Sequence, residues 1–131
     1  MSQKDETKRT LPVLPTSPEI SRLRTYPACE SLLSDTVNLR FEGIGSLCPI
    51  TGQPDSATVS VAYLPGNLSL GEDSVWDYLC TFRNYPAFNE EVVNRILDDL
   101  VEVAKPKEMT VIGRFATRGG ICLTTEARYP G

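Results

Sequence analysis

The chain contains no histidine at all. That one absence removes Ser-His-Asp and Cys-His triads, imidazole metal ligands and imidazole acid–base work. Any catalysis must run on Cys, Asp, Glu, Lys, Tyr or the backbone. Long apolar runs are also missing: nothing approaches the ~18 residues that a membrane-spanning helix needs. The N-terminus lacks the apolar stretch of a signal peptide. A cytoplasmic protein with no membrane partner is expected. Cysteine is sparse, at Cys29, Cys48, Cys80 and Cys122, and no two have C-x-x-C spacing, so no metal site is expected. In a reducing cytosol these cysteines are expected as thiols, most of them in the core, where Cys packs as a small hydrophobe. Basic residues are outnumbered: 13 Lys and Arg against 17 Asp and Glu leave a net charge of -4. That counts against a broad nucleic-acid footprint while leaving room for a local basic patch.

What is present points to one domain. A length of 131 residues with 40% hydrophobic content suffices for one packed core. Residues 1–35 read as a flexible N-terminal arm, polar at the start and punctuated by Pro12, Pro15 and Pro18. Within it SRLRTYPACESLL reads as a short docking segment or helix. From residue 36 the pattern changes. TVNLRFEGI (36–44) and SATVSVAYL (56–64) alternate apolar and polar as half-buried strands do. PGNLSLGED is turn-rich, and SVWDYLCTFRNYP predicts a helix that ends before Pro86. Phe88, Val92, Val93, Ile96, Leu97, Leu100, Val101 and Val103 keep helical spacing, with Asn89 as N-cap and Pro106 closing the helix. Strands at 109–116 and 120–126 follow, around an Arg118-Gly119-Gly120 turn. The expected architecture is α+β, ββααββ over residues 36–131: a four-stranded antiparallel sheet with two helices on one face. Such a sheet has open edges that invite pairing with other copies, and a ring-shaped homo-oligomer would close them.

LCPITGQPD, residues 47–55, carries the chemistry. It sets a nucleophile, Cys48, and a proton carrier, Asp55, either side of a turn. Taken alone, Cys48 reads first as a buried thiol and Asp55 as a turn or strand-edge carboxylate. Glu90 alone reads as an acid complementing the helix dipole.

Together these pieces resemble the QueF family of 7-cyano-7-deazaguanine nitrile reductases, which belongs to the tunnelling or T-fold group. The resemblance spans roughly 36–126. LCPITGQPD matches the family signature, and YLP, FRN, AFNEE, NRILDDL and GRFATRGGI follow in family order. It implies that the sheets of several subunits join into an oligomeric β-barrel with ligands at subunit interfaces. It also implies roles. Cys48 would add to the nitrile carbon to form a thioimide, which needs a thiolate. Asp55 would protonate the nitrile nitrogen. Glu90 would hold the flat heterocycle by accepting parallel hydrogen bonds, with Phe88 beside the base.

Two departures mark this chain within that resemblance. The reductases carry two lysines for the phosphates of the nicotinamide cofactor between YLP and FRN; here Asp73 and Trp76 take those places, and Gly71 replaces the motif glutamate, with Glu72 one residue off as its substitute. Acids there oppose a polyanion. Asn89 stands where the reductases have histidine, and Asn does not titrate. The similar archaeal QueF-like amidinotransferases keep the Cys and Asp without the cofactor motif. The expectation is therefore an amidine-forming enzyme: the thioimide forms on 7-cyano-7-deazaguanine within tRNA or another nucleic acid, and ammonia releases it as the archaeosine-type product, with no cofactor. The alternatives are an NADPH-dependent reductase of queuosine biosynthesis with a rebuilt cofactor site, and a non-catalytic base-binding T-fold subunit.

Overall fold

The computed structural model describes residues 15–29 and 35–131. Among these residues, six strands and two α-helices are formed: β1 (Thr25–Pro27), β2 (Val37–Leu47), β3 (Pro54–Leu64), β4 (Leu68–Leu70), α1 (Glu72–Cys80), α2 (Asn89–Ala104), β5 (Glu108–Arg118) and β6 (Ile121–Tyr129). The main sheet has the order β2-β3-β5-β6, every pair antiparallel. It is the α+β, ββααββ architecture expected. The strands run longer at their turn ends than the alternation alone indicates.

Period-2 alternation explains which face is covered. In β3, Ala57, Val59, Val61 and Tyr63 are buried while the residues between them are not, as a strand covered on one face requires. β2 needs a correction to stay in phase. Its register slips between Phe41 and Ile44, at Gly43 with φ of +75°, a β-bulge that only glycine adopts without strain. Val37, Leu39 and Phe41 pack on the core before the bulge; Ile44 and Ser46 are buried after it. The two-residue turn between β5 and β6 has positive φ at both Gly119 and Gly120, the geometry that matches strand twist in tight hairpins.

α2 packs across β5 and β6. Val92, Val93, Ile96, Leu97 and Leu100 form its buried stripe, at the i, i+3, i+4 spacing of an amphipathic helix. At its end Lys105 takes a left-handed conformation, φ 46°, and Pro106 blocks further helix. Two expectations are corrected at its start. Asn89 is the first helical residue rather than the N-cap, because the Glu91 carboxylate accepts the Phe88 N–H at 2.9 Å and closes the turn one residue earlier. Phe88 stands outside the buried stripe, 52% exposed.

Part of the expected flexible arm is packed. Pro18 and Leu23 are buried, and Thr81 Oγ1 accepts the Glu19 N–H at 3.0 Å while Ser74 Oγ accepts that of Arg24 at 2.9 Å. β1 then pairs with β4 as a two-stranded ribbon. The rest of that arm, 1–14 and 30–34, lies outside the described residues. The cysteines also differ from expectation: Cys29, Cys80 and Cys122 are exposed and Cys48 is half-buried. Cys80 sits at the outer end of α1, and Cys122 on the edge strand β6, where one face carries no helix.

Candidate active site

The signature loop is a compact turn. The Cys48 N–H donates to the Gln53 carbonyl and the Gly52 N–H to the Cys48 carbonyl, both at 2.9 Å. Gly52 accepts positive φ, 71°, within it. The Gln53 N–H donates to Thr51 Oγ1 at 3.2 Å. Cys48 therefore sits where β2 becomes the turn, and its backbone is pinned on both sides.

Asp55 follows on β3, cross-strand from Ser46. It has the parity of Ala57 and Val59, so it lies on the helix-bearing face at the open end of the sheet. It is half-buried. It lines a cleft of about 340 Å³ together with Gly43, Gly45, Trp76, Cys80 and Arg83, among others.

A backbone clamp brings the start of α2 to this corner. The Leu47 N–H donates to the Tyr85 carbonyl and the Ala87 N–H to the Leu47 carbonyl, each at 3.1 Å, and Leu47 forms a parallel bridge with Pro86. The residue before Cys48 is thus bonded to the segment leading into Phe88, Asn89 and Glu90. Glu90 is exposed and Asn89 half-buried. This arrangement joins Cys48, Asp55 and the α2 N-terminus at one end of the sheet. It does not place them all in one cavity: Cys48, Phe88, Asn89 and Glu90 do not line the Asp55 cleft. Glu72 is also outside it, exposed in the first turn of α1 with Asp73, on a separate cleft of about 330 Å³ shared with Tyr26 and Gly71.

Several features escaped the sequence. Trp76 and Arg83 border Asp55, and Tyr26 crosses to Gly71, where an added Cβ would come within 2.7 Å of Tyr26 Cε2. The one signal in the sequence was Trp76 in place of a lysine; the exposure of the rings at 26 and 76 is seen only in the structure. The Cys80 thiol is pushed above its ordinary range by burial and then by Asp77, which leaves it a poor nucleophile at neutral pH. Among the described residues no group of three or more His, Cys, Asp and Glu side chains is placed to hold a metal ion. No helix among them is long and apolar enough to cross a membrane.

Sheet order and helix placement define a T-fold. The chain belongs to the QueF-like protein family, whose family model matches residues 54–131; Asp55 lies inside that match and Cys48 before it. The chain is 46% identical over 84 residues to the NADPH-dependent 7-cyano-7-deazaguanine reductase of Chloroherpeton thalassium, covering 64% of this chain and 72% of that enzyme. The enzyme of the same name from Anaeromyxobacter sp. (strain K) is 38% identical over 116 residues, 88% of this chain and 94% of its own length. The Bacillus pumilus enzyme of that name is 37% identical over 107 residues, 82% of this chain and 65% of its own length. In structure the chain is similar to the apo archaeosine synthase QueF-Like, with a TM-score of 0.69 and 25% identity over 73% of this chain and 94% of that one.

The cofactor in the relatives' name can be weighed against α1. The helix reads EDSVWDYLC, with Glu72 and Asp73 in its first turn and no basic residue in its last. Like charges at a phosphate site weaken binding. These residues do not fit the phosphates of a nicotinamide dinucleotide.

Proposed function

We propose that this chain converts the nitrile of 7-cyano-7-deazaguanine through a covalent thioimide on Cys48. The observation that carries the reading is the clamp at Leu47, which ties the cysteine-bearing strand end to the start of α2. The Cys48 thiolate adds to the nitrile carbon, and Asp55 gives a proton to the nitrile nitrogen as the C–S bond forms. Glu90 accepts hydrogen bonds from the ring N–H and exocyclic amine of the base, with Phe88 and Asn89 beside it. Glu72 belongs to the same proposal as a base contact contributed from another subunit, since the open edges at β2 and β6 suit a homo-oligomer.

The relatives' names support reduction as the completion, which moves weight away from the amidine expected from the sequence. The residues of α1 offer no positive charge to such a reductant. The acids Glu72 and Asp73 favour a second completion: ammonia adds to the thioimide carbon and the Cys48 thiolate leaves as the amidine forms, with the base free or within tRNA or other nucleic acid.

Intact mass after mixing with 7-cyano-7-deazaguanine tests the shared step. A gain of one base on the wild type, absent in Cys48→Ala, is expected; no gain with either the free base or the base in an oligonucleotide rejects the thioimide. Subsequent addition of NADPH or of ammonia, with product mass read separately, distinguishes amine from amidine.

A further inference from the structure

The cleft beside Asp55 is shaped by residues to which the thioimide chemistry assigns no role. Trp76, Cys80 and Arg83 follow i, i+4, i+7 along α1 and the turn after it, and all three line the cleft. Such spacing puts them in one stripe. Trp76 is 44% exposed and is backed by Phe41, with ring centroids 6.5 Å apart and planes 25° from parallel. A large indole left open and held from behind is a stacking surface rather than core filler. Arg83 is exposed, and its stem passes over Gly45, whose added Cβ would lie 3.7 Å from Arg83 Cγ. Gly43, Gly45, Ser46 and Ser56 keep the floor low. The Cys80 thiol, neutral at pH 7, adds no charge.

We propose that this cleft is a nucleotide subsite: Trp76 stacks the base adjoining the target base in a single strand, and Arg83 meets one phosphate. The proposal rests on the reading above only in taking Asp55 as the proton donor at the target base. The ring–cation pair sets the chemistry. An aromatic face takes any base, and a guanidinium beside it takes the phosphate that each nucleotide of a strand brings. The acids around it limit the charge tolerated. Glu72, Asp73 and Asp77 lie on the same helix and Asp55 lines the cleft with Arg83, so the cleft itself takes only the one phosphate at Arg83 and the rest of the strand lies outside it.

Trp76 is the chain's sole tryptophan, so its emission reports directly on this cleft. Titration with a short single-stranded oligonucleotide of ordinary bases is expected to quench it, and NADP⁺ at the same concentration is not. Anisotropy of a labelled oligonucleotide should show Trp76→Ala weakening binding about 5- to 150-fold, the value of one base–aromatic stack. Trp76→Phe should recover most of that loss, and Arg83→Gln should reduce the salt dependence by about one phosphate. Strand binding is read with ordinary bases and no nitrile, so a failed thioimide with intact strand binding rejects the proposed chemistry and not this subsite. Absence of quenching by the oligonucleotide, quenching by NADP⁺ in its place, or equal binding by wild type, Trp76→Phe and Trp76→Ala overturns the proposal.

Discussion

The Ala87 N–H donates to the Leu47 carbonyl at 3.1 Å, joining the residue before Cys48 to the residue three before Glu90. The pair are 40 positions apart, and this bond, with the one from the Leu47 N–H to the Tyr85 carbonyl, closes the corner that the nucleophile and the proposed base anchor share. Proline at 87 removes the donor. Ala87→Pro is expected to lower adduct formation at Cys48 at least tenfold, with a loss of about 1–3 kcal/mol in stability. Adduct mass against time and urea unfolding measure the two effects. Adduct formation at the wild-type rate would show that the clamp does not position the site.

Tyr78, on α1, donates to Asp99 Oδ2 at 2.7 Å, and Arg95 Nε donates to the same oxygen at 2.9 Å. Tyr78 is fully buried. Burial first, and then the bond to Asp99, pushes the Tyr78 hydroxyl far above the ordinary tyrosine range. The unfolded chain therefore releases this proton at a lower pH than the folded one. The contribution is intact below about pH 10 and is lost as pH rises beyond it, at up to ~1.4 kcal/mol per pH unit. Tyr78→Phe should cost about 1.5–3 kcal/mol at pH 7 and should flatten the alkaline decline. Equilibrium unfolding of both proteins from about pH 8 to 11, spanning the ordinary tyrosine pKa, checks the sign; parallel curves would contradict it.

Clean periodicities made the fold readable. β3 alternates without a break, and α2 keeps its stripe from Val92 to Leu100, so sheet and long helix were legible. The bulge at Gly43 was not, because an extra residue leaves no mark on side-chain type beyond the glycine. β1 and β4 are three residues each, too short to show alternation. The clamp at Leu47 is made of backbone atoms and has no side-chain signature. At the candidate site, Cys48 and Asp55 were singled out through a contiguous motif. The cleft beside Asp55 was not, since it assembles β2, β3 and α1 across long separations. The exposed cysteines escaped because free Cys is usually buried, and residue type does not show that Cys80 ends a helix or that Cys122 lies on an uncovered sheet face.

Gly113, on β5, is a close approach between sheet and helix. An added Cβ would lie 2.6 Å from Val93 Cγ2 and 2.9 Å from Phe115 Cε1. Both neighbours are buried, so neither can move without displacing others. Gly113→Ala is expected to destabilise by about 1–3 kcal/mol through overpacking, read as a lower denaturation midpoint at unchanged m-value. Gly113→Ala with Val93→Ala should recover part of the loss; a fully additive double mutant would place the strain elsewhere.

Glu90 and Glu91 are adjacent acids with different expected duties. The Glu91 carboxylate accepts the Phe88 N–H at 2.9 Å, so Glu91→Gln weakens the cap, by about 0.5–1 kcal/mol, and leaves base affinity nearly unchanged. Glu90 is exposed at the clamped corner and is the proposed acceptor for the base. Glu90→Gln keeps its size, removes its charge and turns one acceptor into a donor facing the donors of the base. Charge-assisted hydrogen bonds carry about 1.5–3 kcal/mol, so affinity for 7-cyano-7-deazaguanine should fall about 10- to 150-fold, with stability within ~0.5 kcal/mol of wild type because the side chain is exposed. Calorimetric titration in the Cys48→Ala background isolates binding from adduct formation. Equal affinities with and without the Glu90→Gln substitution would remove Glu90 from the site and leave the corner built by Leu47 and Ala87 without its base anchor.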